Sequence, residues 1–221
     1  LGVDVDIDEK AHTVVLHGKG LHGLSAPLRD LDCGNSGTTM RLMAGVLAPQ
    51  RFQSTLVGDA SLMRRPMLRI AKPLRQRGAR VEGQSSPKKV GEITAPLVVG
   101  PLPEPHVLSE VVYDSPVASA QVKSAILLAG LYAKGETTVY EPHPTRDYTE
   151  KMLTAFGWPI EFRPGHARLS GGHRLQAKDI QVPADFSSAA FFIVAATLIP
   201  GSDLLIKSVG MNPRRTGLLA T

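Results

Sequence analysis

At 221 residues, with 43% hydrophobic and 20% charged residues, the chain has a globular composition and enough length to bury a substantial core. A net charge of +5 and a pI near 9.5 suit a polyanionic partner, either small anionic substrates or nucleic acid, while only 5% aromatics argue against a stacking platform for single strands. No apolar run approaches a membrane span, and a single cysteine, Cys33, excludes an intrachain disulfide and makes a reducing compartment the default. The seven histidines lack zinc-like spacing, and no secretory signal is read. Because the chain opens on Leu1, it is expected to be a piece of something longer.

In chain order, Val3, Val5 and Ile7 alternate with Asp4, Asp6 and Asp8, the period of a half-buried strand. The D-x-D-x-D run fails as a calcium loop, because Glu9 replaces the required glycine and Val15 the bidentate glutamate. A second strand is expected over residues 13–16. Gly18-Lys-Gly-Leu-His-Gly23 matches a dinucleotide fingerprint in letters only, since Pro27 interrupts the helix that should follow. The organising stretch is Leu31-Asp-Cys-Gly-Asn-Ser-Gly-Thr-Thr-Met-Arg41, a glycine-containing turn that opens a helix. Gly34 and Gly37 allow a ligand close to the main chain. Asn35, Ser36, Thr38 and Thr39 supply oxygens beside free N–H groups, and Arg41 adds a planar cationic fork. On its own this is also an ordinary capped helix start.

Residues 38–47 read as an apolar helix and 53–57 as a strand. Pro66 suits the first position of a second helix, with Met67, Ile70 and Leu74 as its stripe, a kink at Pro73 and a stop at Gly78. Val81 and residues 97–99 are strands about a solvated lysine loop. Beyond Pro101, Pro103 and Pro105, Ser119 leads a long apolar helix to Ala133, followed by a strand over 137–140. Pro144-Thr-Arg-Asp-Tyr148 opens a helix with Met152, Leu153 and Phe156 inward and Gly157 as its stop. Ile160 with Phe162, and Ala167 with Leu169, mark two alternating strands. Asp185 caps a helix running to Leu198, a strand follows over 204–206, and Asn212 begins a last helix.

Superposed, these stretches repeat: polar turn, apolar helix, strand, arginine-bearing turn, helix. Ser36, Ser119 and Ser187 precede Arg65, Arg146 and Arg215 by 29, 27 and 28 residues. The constant inner spacing predicts a β-α-β-α-β-β unit used at least three times. Helix N-termini and arginines would then line one surface, suited to a small polyanion.

With GNSGTTMR, GDASLMRRPM, SAQVKSAILLAGLYA, TRDYTEKM and DFSSAAFF in this order, the chain resembles the 5-enolpyruvylshikimate-3-phosphate synthases over essentially its full length. The resemblance implies an α/β (α+β type) enolpyruvyl-transferase fold of repeated βαβαββ units, with helices inside and sheets outside, in a two-domain enzyme with an interdomain site. Residues 1–182 would be most of the N-terminal domain, its first unit incomplete, and 183–221 the start of the C-terminal domain. The implied reaction moves the enolpyruvyl group of phosphoenolpyruvate to the 5-hydroxyl of shikimate 3-phosphate and releases phosphate.

By the same resemblance, Gly37, Arg65 and Gln121 contact phosphoenolpyruvate, the site for which glyphosate competes in this family. Ser119, Ala120, Gln121, Thr145 and Arg146 correspond to shikimate 3-phosphate contacts. Ala120 stands where other members carry a second serine, so one phosphate donor must come from the backbone or elsewhere. Asn35 and Arg41 shape the site, and Asp185 is expected as a hinge cap rather than the base. The catalytic base and an early lysine would lie outside these residues, so this stretch alone is expected to be inactive. No cofactor, metal, nucleic acid or membrane is implied, and the whole enzyme would be a cytoplasmic monomer. Two alternatives stay open, the sister UDP-N-acetylglucosamine enolpyruvyl transferases and a basic RNA-binding module on related repeats.

Overall fold

The computed structural model describes residues 1–220; Thr221, the last residue of the expected second segment, lies outside the described residues. The chain opens with an antiparallel hairpin, β1 (Asp4–Asp8) and β2 (Thr13–His17), pairing Asp4 with His17 and Asp8 with Thr13. It is a strand pair as expected, but it is not half-buried. Ile7 is 68% and Leu16 66% exposed, and every residue of both strands is exposed, because the described residues leave both faces of the ribbon uncovered.

Two β-α-β-α-β-β units follow. The first comprises β3 (Leu31–Asp32), α1 (Gly37–Leu47), β4 (Ser54–Val57), α2 (Leu68–Gln76), β5 (Val81–Ser85) and β6 (Ile93–Val99). The second comprises β7 (Val111–Asp114), α3 (Ala120–Gly130), β8 (Glu136–Tyr140), α4 (Tyr148–Ala155), β9 (Ile160–Arg163) and β10 (His166–Ser170). Their sheets run β3-β4-β6-β5 and β7-β8-β10-β9, each with one parallel pair followed by two antiparallel pairs. The opening of a third unit is present as Ala184, α5 (Phe186–Leu198) and Val209, with Ala184 bridged in parallel to Val209. The repeat is therefore complete twice and begun once.

The helices lie between the sheets. On α3, Val122, Ala125, Ile126, Leu127 and Ala129 are all at most 3% exposed, so this helix is apolar around most of its circumference, as an interior helix must be. It crosses α1 at Gly45, where a Cβ would stand 2.3 Å from the Ala125 carbonyl oxygen. Only a residue without a side chain permits that approach. Met67, Ile70 and Leu74 form the buried stripe expected of α2.

Several sequence expectations need correction. α2 starts at Leu68, so Pro66 precedes the helix instead of opening it. The Leu68 N–H is capped at 2.8 Å by the Glu92 carboxylate, a partner 24 residues away that local pattern cannot reveal. α3 ends at Gly130, short of Ala133. On α4 Leu153 is buried, but Met152 is 43% exposed and Phe156 only half-buried. Residues 204–206 form no strand, the pairing falling on Val209 alone. Past Asn212 the chain makes a turn and a 3₁₀ helix, Gly217–Ala220, rather than an α-helix. Asp185 does cap α5, accepting from Ser187 N and Ser188 N, while Phe191 and Phe192 on that helix are exposed. No helix among the described residues is long and apolar enough to cross a membrane.

The two units are tied by Arg77, which is fully buried. Its guanidinium donates to Ser109 O at 3.0 Å, Ile126 O at 3.2 Å and Thr137 Oγ1 at 2.9 Å, all in or leading to the second unit. Burial pushes its pKa down to about 10, still far above neutrality, so the group stays charged. Replacing it by methionine removes the donors to Ser109 O, Ile126 O and Thr137 Oγ1, the last two of them buried contacts. Arg77→Met is expected to cost about 3 kcal/mol or more, read as a lower midpoint in denaturant unfolding; an unchanged midpoint would contradict this role.

Candidate anion-binding site

Two helix N-termini, one from each unit, meet at a single surface. Ser36 caps α1, its Oγ accepting from Thr39 N at 3.1 Å. Ser119 occupies the cap position of α3, yet its side chain makes no capping hydrogen bond. Gln121, in the first turn of α3, joins the two: its Nε2 donates to Thr38 Oγ1 at 2.7 Å, and its Oε1 accepts from Arg41 Nη1 at 2.7 Å. Thr38 and Gln121 are 83 residues apart, the same separation as Ser36 and Ser119, so equivalent positions of successive repeats bond to each other.

Above Gly37 stand two guanidinium groups. A Cβ added there would be 3.0 Å from Arg65 Nη1 and 3.1 Å from Arg41 Nη1. Arg41 is anchored to Gln121 and, at 3.3 Å, to Pro66 O. Its pKa is lowered by burial and then by the nearby charges of Arg69 and Arg65. Arg65 is aimed by a relay: its Nη2 donates to Asn35 Oδ1 at 2.8 Å, and Asn35 Nδ2 donates to Asp59 Oδ2 at 2.5 Å. Asp59 also accepts from the main-chain N–H of Ser61 and Leu62.

The second unit contributes the loop of Thr145 and Arg146. Thr145 donates its hydroxyl to Glu141 at 2.5 Å, and its carbonyl accepts from Arg214 at 2.6 Å. Asp147 accepts from Asn212 Nδ2 at 2.8 Å and pairs with Lys151 at 3.2 Å. Burial alone would raise its pKa, but those partners bring it below the ordinary value. Arg146, half-buried, makes no hydrogen bond or ion pair among the described residues. The other repeats differ here: Arg65 turns onto Asn35, and Arg215 donates to Ser187 and pairs with Asp185. Among the described residues, only in the second unit are the side chains of the turn serine and the loop arginine both without a protein hydrogen bond or ion pair. Ala120 opens α3 with a side chain that cannot donate, so only its backbone N–H serves as donor there.

All nine sequence-chosen residues thus fall in two clusters linked by Gln121. Arg41, Asn35, Gly37 and Arg65 form one; Ser119, Ala120, Thr145 and Arg146 belong to the other. Sequence reasoning missed Thr38 as a partner of Gln121, although the 83-residue repeat spacing carried that signal. It also missed Asp59, which lies outside any pattern that points at Asn35. Among the described residues no group of three or more His, Cys, Asp or Glu could hold a metal ion. A cavity of about 490 Å³ adjoins Ser119, between Arg69, Lys72, Tyr113 and Val122, and does not include Gly37, Arg65 or Gln121.

Known proteins share this fold and sequence. The family profile described as EPSP synthase (3-phosphoshikimate 1-carboxyvinyltransferase) matches residues 1–221. The 3-phosphoshikimate 1-carboxyvinyltransferase of Xanthomonas campestris pv. campestris strain B100 is 61% identical over 220 residues, covering 100% of this chain and 48% of that protein. Its counterpart from Xanthomonas axonopodis pv. citri is 60% identical with the same coverage. The structure of an EPSP synthase from Acinetobacter baumannii superposes with a TM-score of 0.84 at 48% identity, covering 99% of this chain and 48% of that one. The chain spans about half the length of the relatives it matches.

The relay onto Arg65 has a pH signature. The Asn35 amide, then the Leu62 N–H, hold the Asp59 carboxyl below its ordinary 3.8. A depressed carboxylate keeps its contacts above the ordinary value and loses them only as pH falls through the lowered one. Carbon-detected NMR titration should therefore find the Asp59 midpoint below 3.8, and Asn35→Ala should move it upward. A midpoint unmoved by that substitution would contradict the relay.

Proposed function

Because the chain belongs to the EPSP synthase family, we propose that it supplies one wall of an enolpyruvyl-transfer site in a longer two-domain enzyme. Phosphoenolpyruvate and shikimate 3-phosphate bind there, and the enolpyruvyl group passes to the 5-hydroxyl with release of phosphate. Residues 1–182 make most of one domain and 183–221 open the other. The whole enzyme is read as a cytoplasmic monomer.

The observation that carries this reading is the pair of guanidinium groups of Arg41 and Arg65 over Gly37, beside the Ser119 and Arg146 side chains, which have no hydrogen-bond or ion-pair partner among the described residues. Phosphoenolpyruvate has a carboxylate and a phosphate, and a planar fork suits either. Arg65 and the open face of Gly37 take that substrate, with Gln121 bordering both. Arg41 and Asn35 stay bound to protein and fix the geometry. Arg146, Ser119 and the Ala120 N–H at the start of α3 receive the shikimate phosphate, where helix N–H groups favour an anion. The Thr145 hydroxyl already donates its hydrogen bond to Glu141, so it serves a substrate hydroxyl as acceptor rather than the phosphate. The proton-transfer groups are assigned to the other domain. The names borne by the relatives favour this reading over the UDP-N-acetylglucosamine enolpyruvyl transferases.

Two substitutions in the whole enzyme test the assignment. Gly37→Ala must push Arg65 and Arg41 by a few tenths of an ångström, so it should raise the Michaelis constant for phosphoenolpyruvate about tenfold and weaken glyphosate inhibition. The constant for shikimate 3-phosphate should move less than about twofold; equal effects on both substrates would contradict the assignment. Arg65→Lys should impair turnover nearly as much as Arg65→Ala, since one ammonium cannot replace two parallel hydrogen bonds. A lysine variant with normal constants would exclude bidentate binding. An RNA-binding module predicts instead a steep salt-dependent RNA affinity that these variants share.

A further inference from the structure

Beneath the Thr145–Arg146 loop lies a buried ionic cluster that substrate binding does not use directly. Lys123, the one charged residue of α3, is 2.8 Å from Glu141 Oε2 and 2.7 Å from Glu150 Oε1, with all three side chains at most 3% exposed. Glu141 directly follows β8, and Glu150 lies on α4, so the ammonium on α3 ties these elements together. The second oxygen of Glu141 accepts the Thr145 hydroxyl at 2.5 Å, whereas Glu150 Oε2 is buried without a partner. Lys123 is also one turn from Ser119, its N–H donating to Ser119 O at 3.1 Å.

Ion pairs this deep contribute little net stability against an apolar replacement, because desolvation offsets the attraction. What the cluster does is fix geometry. A carboxylate with one oxygen on Lys123 and the other on Thr145 leaves the loop no freedom relative to α3. We infer that Glu141, clamped by Lys123, is a positioning residue that sets Thr145, and through it Arg146, against the Ser119–Gln121 turn. Glu150 balances the ammonium and does not reach the loop. The inference rests on the proposed shikimate 3-phosphate site.

The test uses the full-length enzyme and compares Glu141→Gln with Glu150→Gln. In Glu141→Gln the amide oxygen turns to the ammonium and the NH₂ can only donate to Thr145 Oγ1, so the charge-assisted bond is replaced by a weaker one of reversed direction and the threonine hydrogen is no longer held. The Michaelis constant for shikimate 3-phosphate should rise about tenfold, with that for phosphoenolpyruvate within about twofold. Glu150→Gln should leave both within about twofold. In a Thr145→Val background, Glu141→Gln should add nothing to the shikimate 3-phosphate constant, a result that general loosening of the fold would not give. If Glu141→Gln fails to fold, Glu141→Asp replaces it, keeping the charge but too short to span Lys123 and Thr145. Equal effects from Glu141 and Glu150, or an additive effect with Thr145→Val, overturn the inference. Arg146→Ala separates the two levels. If it leaves shikimate 3-phosphate binding intact, the underlying site is wrong; if it weakens binding while Glu141→Gln does not, only the positioning role fails.

Discussion

The close crossing of α1 and α3 is the constraint on which the rest depends. Gly45 lets the α1 backbone rest against the Ala125 carbonyl, and from that contact the two helices run toward neighbouring N-termini. Their separation there is short enough for Gln121 to bond both Thr38 and Arg41. On the far side Arg77 reaches from the end of α2 to Ser109, Ile126 and Thr137. The glycine allows the approach, and the arginine holds the second unit in register with it. Neither residue faces the proposed substrates, yet both fix where the substrate-facing residues stand.

That geometry concentrates positive charge. Arg41, Arg65 and Arg69 lie close enough that the last two lower the pKa of the first. Crowded cations repel, and an arriving dianion removes the repulsion. The protein aims these groups with neutral or acidic side chains on their outer flanks: Asn35 and Asp59 for Arg65, Gln121 for Arg41. Arg146 has no such partner but sits on a loop braced from two sides, by Glu141 below and by Arg214 and Asn212 beyond. Rigid support with an uncommitted charged tip is the arrangement expected of a preorganised ligand contact.

Much of this was legible in the sequence where the signal was local or periodic. The serine-to-arginine spacing revealed the repeat, and the Met67, Ile70 and Leu74 stripe revealed the buried face of α2. Short strands were not legible: Leu31–Asp32 is too brief for any period, and Val111–Asp114 does not alternate. Pro66 misled because the α2 cap comes from Glu92, so the helix begins two residues later than the proline suggests. Met152 misled because α4 turns only a narrow face inward, centred on Leu153 and Glu150. The site residues were found through the resemblance of the motifs to a known family; their supports, Asp59, Glu141 and Lys123, were hidden because tertiary pairing alone gives them a role.

The central claim is that turns from two successive repeats form one anion-binding surface. A crystal structure of the whole enzyme with shikimate 3-phosphate tests it most directly. The account predicts phosphate oxygens within about 3 Å of both the Arg146 guanidinium and the Ser119 hydroxyl, with Gln121 still bridging to Arg41. A phosphate bound elsewhere, with Ser119 and Arg146 left in solvent, would contradict it.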